Sequence, residues 1–203
     1  MGELQQVWGW QPALYLFLGG LSAGAFLTVS ILRLAKPGEF YKTVRGGVWV
    51  AAAALALGLL ALISEVEKPF QAMMLWRSFV NGSSWMAIGA WLLLVSFIVF
   101  VLSALFTTDK VAEALRLKEE PRRKANKVLA IVGIPCSVAV AGYTGILLSM
   151  APAVPLWDTW LLPALFTASA LDTGVAAVML FAVIAERDEG APAMQPRPQS
   201  LVR

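Results

Sequence analysis

Five long stretches almost free of charge govern what this protein can become. Residues 4–32, 46–64, 78–108 and 128–157 contain no Asp, Glu, Lys or Arg, and residues 159–185 contain one such residue, Asp172. A helix that crosses about 30 Å of hydrocarbon needs roughly 20 apolar residues. Backbone in lipid finds no water to bond, so runs of this length are economical only as helices. The sequence therefore predicts an all-α integral membrane protein with five transmembrane helices, near residues 12–34, 46–66, 84–106, 128–150 and 160–185. Composition agrees: 59% of residues are hydrophobic and 14% are charged, with a mean hydropathy of +0.72. The expected organisation is one helical bundle over residues 1–188 and a proline-rich, disordered cytoplasmic tail over 189–203. Ala23-Gly24-Ala25 fits a signal-cleavage pattern, but no basic residue precedes it and the apolar run is too long, so the segment reads as a span.

Lysine and arginine placement sets the expected orientation. Arg33, Lys36, Lys42 and Arg45 follow the first span, and seven more lie between the third and fourth, from Lys110 to Lys127. With Arg187, Arg197 and Arg203 they fall on one side if the helices alternate, leaving Lys68 and Arg77 on the other. The amino terminus is expected outside and the carboxyl tail in the cytoplasm. The loop between spans three and four also carries Asp109, Glu113, Glu119 and Glu120. Its mixed charge suits a solvated amphipathic segment and not a nucleic-acid surface.

The sequence has no histidine and a single cysteine, Cys136. Haem of the b type is normally held by histidine, and iron–sulfur clusters and structural zinc need cysteine sets. The sequence predicts no haem and no metal in this chain, so any redox cofactor here is a mobile one or belongs to a partner.

Polar groups inside spans are costly and ask for a reason. Asp172 sits near the middle of the fifth span, with Ser169 and Thr173 beside it, and Glu65 ends the second. Each has two readings. Glu65 is either an interfacial carboxylate paired with Lys68 or a proton-handling group. Asp172 is either a neutral carboxyl bonded to a neighbouring helix or a proton-handling group. A desolvated carboxyl has its pKa pushed upward, which suits proton exchange near neutrality. Gln11, Tyr15, Tyr143 and Thr144 place uncharged donors and acceptors in the outer half of the membrane, amid an aromatic belt that includes Trp8, Trp10, Trp76, Trp85, Trp157 and Trp160. The inner half is nearly all aliphatic. That asymmetry points to an outward-facing pocket for an amphiphile. Gly20 and Gly24 have the spacing that lets helix backbones approach.

Four stretches together carry a resemblance. "WGWQPALYLFLGGLSAGAF", "SEVEKPF", "NGSSWMAIGAW" and "YTGILLSMAPAVPLWDTWLLPALFTASALDTG" resemble, in order and spacing, the first helix, acidic turn, third-helix entry and Tyr-Thr-Gly helix of the NrfD-type, or polysulfide-reductase, membrane-anchor family. The resemblance covers roughly residues 8–185. It implies a quinol-reactive membrane subunit of a respiratory oxidoreductase of the iron–sulfur molybdoenzyme type. Such a subunit binds exchangeable menaquinol near the outer face and exchanges electrons with a ferredoxin-like iron–sulfur subunit. That partner serves a molybdopterin or multihaem catalytic subunit. By the same resemblance, Tyr143 is expected to bond a quinone oxygen and Glu65 to accept its proton. The sequence departs from the pattern in several ways: Glu67 replaces the glycine of the acidic turn, Ala87 replaces a hydroxyl residue, and the histidine that some members place near the quinone is absent. Members of the resembled family usually carry eight or more helices, against five here.

The sequence leaves three functions open: electron exchange with quinol, purely structural anchoring of such a complex, and proton or small-solute transport through Asp172. No inverted repeat or pair of broken helices supports the third.

Overall fold

A computed structural model of the protein describes residues 11–65, 85–114, 116, 118–149 and 159–187. Six helices account for most of them: α1 (Gln11–Ala35), α2 (Tyr41–Glu65), α3 (Trp85–Thr107), the short α4 (Asp109–Ala114), α5 (Glu119–Ser149) and α6 (Leu161–Arg187). All but α4 are long and apolar enough to cross a membrane. The five expected spans are present. Two begin earlier than their apolar runs: α2 starts at Tyr41 and α5 at Glu119, both on charged sequence. At 1.5 Å per residue α5 is about 46 Å long, more than the hydrocarbon requires. Its first two turns, rich in Glu, Lys and Arg, flank the apolar part.

Inter-helix contacts fix the register. Between α1 and α2, Ser22 Oγ donates to the Ala51 carbonyl at 2.7 Å, Gly47 lies against Val29 and Gly58 against Leu18. One number rises as the other falls, so the pair is antiparallel. The α1–α5 pair follows the same rule, with Phe26 on Gly133 and Arg33 on Asn126. Against α3, α1 runs parallel: Phe26 stacks on Phe100 with centroids 3.9 Å apart and planes 8° apart, and Arg33 reaches Ser103. In α5 and α6, Gly145 meets Pro163 and Gly142 faces Thr167, again antiparallel. The register thus gathers Tyr15, Gly58, Gly89, Tyr143 and Pro163 toward one end of the bundle, and Arg33, Thr107 and Asn126 toward the other.

Helix α1 is the hub, packed on α2, α5 and α6. Its interior face is built from small residues such as Ser22, Ala23 and Ala25, each at most 1% exposed. Lipid is as apolar as leucine, so close backbone approach and packing must supply the cohesion. At the α1–α6 crossing, a Cβ on Gly24 would strike the Ala170 carbonyl, and one on Gly174 would strike the backbone of Gly24 and Ala25. Gly20 makes only ordinary contact with Ala170, so the close approach belongs to Gly24 and Gly174. Large aliphatic side chains such as Leu57, Leu60, Leu165 and Met179 point outward, as a lipid-facing surface requires. In α5, Pro135 lacks an N–H; membrane helices tolerate that loss where packing or nearby hydroxyls compensate.

Candidate functional site

The two tyrosines singled out in the sequence come together. Tyr15 lies four residues, about 6 Å, inside the start of α1, and Tyr143 lies six residues, about 9 Å, inside the end of α5. The antiparallel register makes these depths coincide, and Tyr15 is an electrostatic neighbour of Tyr143. The phenol of Tyr143 rests on Gly89 of α3, where a Cβ would collide with its ring and hydroxyl. Three helices therefore converge on one half-buried phenol close to a bundle end. Such a group donates one hydrogen bond and accepts others, at a depth that an amphiphile's polar head reaches from the boundary.

The other candidates distribute less evenly. Thr144 is buried and donates to the Ala141 carbonyl at 2.7 Å, so its proton is committed within α5. Gln11 opens α1 and Glu65 closes α2, at the same bundle end as the tyrosines; their side chains, the whole of the acidic turn after Glu65, and the tail expected over 189–203 lie outside the described residues. Asp172 is exposed on α6 and makes no hydrogen bond or ion pair with another described residue. It lies eleven residues, about 16 Å, from the start of α6, two residues from the Gly174 crossing and apart from the tyrosine pair. Its neighbour Thr173 donates to the Ser169 carbonyl at 2.8 Å.

An apolar cavity of about 470 Å³ opens at the tyrosine end between α1, α5 and α6, lined by Pro12, Leu16, Phe17, Leu148 and Phe166 among others. Neither Tyr15, Tyr143 nor Thr144 lines it. Among the described residues no group of three or more His, Cys, Asp and Glu is placed to hold a metal ion.

Sequence reasoning did not anticipate the polar cluster at the opposite end. Asp109 accepts hydrogen bonds from Arg122 at 2.7 Å, Tyr41 at 2.8 Å and Arg45 at 3.1 Å. The bond from Arg122, with that from Tyr41 behind it, holds the Asp109 carboxyl below its ordinary range. Arg122 also caps α3 by donating to the carbonyls of Phe106 and Thr107, both at 2.8 Å. Both carbonyls belong to the four that a helix end leaves unbonded.

Known proteins share this sequence pattern along most of its length. Residues 2–195 match the family described as "Polysulphide reductase, NrfD". The chain belongs to the NrfD family. A polysulfide reductase component of Wolinella succinogenes is 31% identical over 198 residues, which is 90% of this chain and 62% of that protein. NrfD of Escherichia coli is 31% identical, covering 89% of this chain and 61% of its own length. A selenate reductase subunit of Mesobacillus selenatarsenatis is 29% identical, covering 86% and 47%. The chain thus spans about six-tenths of the length of the first two relatives. No solved structure matches it at comparable significance. NrfD membership and five apolar helices make this a multi-pass protein of the prokaryotic inner membrane.

Proposed function

We propose that this NrfD-family protein is the quinol-reactive membrane subunit of a respiratory reductase, exchanging electrons between menaquinol and an extracytoplasmic ferredoxin-like iron–sulfur subunit that serves a molybdopterin or multihaem catalytic subunit. The observation that carries the reading is the convergence of Tyr15 and Tyr143 near one end of the bundle. The end opposite is the one rich in lysine and arginine, so the positive-inside rule puts the tyrosines toward the outer face. The names of the relatives, one a component of a polysulfide reductase and another a subunit of a selenate reductase, support membership of a multi-subunit complex.

The residues fit such a ligand. A bound quinol supplies two electrons and two protons when oxidised, and its redox chemistry is its own. Tyr143 hydrogen-bonds the polar head, and the contact with Gly89 fixes where its hydroxyl sits. Tyr15 bonds the head from α1. Glu65, whose backbone closes α2 at the same end, takes a proton at its carboxylate and releases it outward. Gln11 and Thr144 complete the polar rim, and Asp172 is a separate proton-handling candidate at mid-depth. The apolar cavity between α1, α5 and α6 leaves room beside the site for a hydrocarbon tail.

A photoreactive menaquinone analogue tests the placement. Crosslinks in membranes should map to α1 near Tyr15 and α5 near Tyr143, and excess menaquinol should suppress them. Labelling confined to other helices would favour a purely structural anchor.

A further inference from the structure

The arginine-rich end of the bundle holds a second cavity, of about 800 Å³, bounded by the ends of α1 and α3, the start of α2 and the first turns of α5. That volume lies in the range of small-ligand sites. Its inner wall is Arg33, in the last turn of α1. Arg33 Nη1 donates to Ser103 Oγ at 3.1 Å, and Nη2 donates to Thr107 Oγ1 at 2.6 Å, with longer bonds from Nη1 to Asn126. All these acceptors are neutral. A guanidinium has five N–H donors, and Nε and one hydrogen of Nη2 find no acceptor among the described residues.

Three carboxylates, Asp109, Glu119 and Glu120, also line the cavity, each beside a cation. Asp109 is held by Arg122 and Arg45. Glu120 pairs with Lys124 at 3.6 Å, and Glu119 extends into solvent 4.0 Å from Arg122. Glu39 pairs with Lys36 at 2.9 Å. Arg33, Arg123 and Lys127 all line the cavity, and none has a carboxylate partner among the described residues. A part-buried cation such as Arg33 without a counter-charge is costly, and with the exposed Arg123 and Lys127 beside it the cavity is electrostatically complementary to an anion.

We propose that this cavity binds a phosphate group, with the headgroup phosphodiester of an anionic phospholipid as its source. Arg33 supplies the part-buried contact with its two free N–H groups, because guanidinium geometry suits phosphate oxygens. Arg123 and Lys127 close over the headgroup from α5. The location favours the lipid over a soluble anion. Arg33 sits where α1 leaves the apolar layer, at phosphate depth in a bilayer, and basic pockets between helices at such ends take lipid headgroups. Leu34, Phe40 and Val44 add apolar wall for the glycerol and upper acyl carbons. This assignment is independent of the tyrosine site and of its quinol reading.

Native mass spectrometry of the purified protein in neutral detergent, with equal phosphatidylglycerol and phosphatidylcholine, tests it. The parent should retain phosphatidylglycerol about tenfold more tightly. Arg33→Gln, which removes a charge-assisted contact, should lower that preference to near parity. Because Arg33 also ties α1 to α3 and α5, the double variant R123Q/K127Q is the control for folding: neither side chain bonds another described residue, and the preference should fall several-fold with the melting temperature unchanged. A parallel arm adds inorganic phosphate without lipid. If millimolar phosphate raises the melting temperature of the parent and not of Arg33→Gln, and competes off the lipid, a soluble phosphate is the ligand and the lipid assignment is overturned. Equal retention of both lipids by the parent, or a preference unchanged in both variants, would overturn the site itself.

Discussion

Tyr143 rests its phenol on Gly89 so closely that no Cβ fits between them. The contact between them is steric, since glycine offers α3 no side chain there. A methyl group must push the ring aside. Gly89→Ala is therefore expected to lower menaquinol turnover roughly threefold to tenfold while the protein still inserts, since overpacking of this kind costs about 1–3 kcal/mol. Turnover by membranes matched for protein content checks it.

The α1–α6 crossing rests on two glycines. Gly174→Ala places a methyl group on the backbone of Gly24 and Ala25, and backbone cannot rotate away as a side chain does. The helices must separate, losing packing that lipid does not replace. The expected loss is about 2 kcal/mol. Gly20→Ala, whose Cβ would make ordinary contact at 3.6 Å, should cost little. Thermal unfolding in mild detergent distinguishes the two variants.

Much of this architecture was legible in the sequence because hydrocarbon imposes a length and forbids charge. The apolar runs predicted spans near 12–34 and 84–106, and α1 and α3 occupy Gln11–Ala35 and Trp85–Thr107. The starts of α2 and α5 were not legible, because a helix continues through charged residues once their charges find partners. Arg45 and Arg122 find Asp109, from which the intervening loop gives no hint. Tyr15 and Tyr143 stood out as hydroxyls in apolar runs. Their meeting depends on register, and so do the Gly89 contact and the Arg33 cavity. Asp172 stood out equally, yet which face of α6 it occupies is a property of packing that its own helix does not encode.

Asp109 makes the basic end sensitive to acid. Its carboxyl is held below the ordinary value of 3.8 by Arg122 and Tyr41. A lowered folded pKa gives stability that is fully present above the unfolded value and is lost as pH falls through the folded one. The side chain is 45% exposed, so the contribution is modest, under about 1 kcal/mol. Melting temperature should fall as pH drops from 5 to 3, on the order of that energy, and Asp109→Asn should flatten the dependence while lowering the plateau.

The proposed orientation, with the charged end in the cytoplasm, is open to a direct test. A reporter active only in the cytoplasm should work when fused after Arg187 and be silent at Gly82. Activity at Gly82 would place the tyrosine pair on the cytoplasmic side and reverse the proposed route to an outer partner.

The quinol site is tested most directly by menaquinol oxidation in membranes carrying Tyr143→Phe, with Tyr15→Phe beside it and with assembly of the iron–sulfur partner checked by blotting. Phenylalanine keeps the ring on Gly89 and deletes one hydroxyl, a loss of about 0.5–1.5 kcal/mol in a typical hydrogen bond. The account predicts full assembly, with kcat/KM for menaquinol lowered roughly threefold to tenfold in Tyr143→Phe and further in the double variant. Parental kinetics in both single variants and in the double variant, with assembly intact, would contradict it and leave the protein a structural anchor.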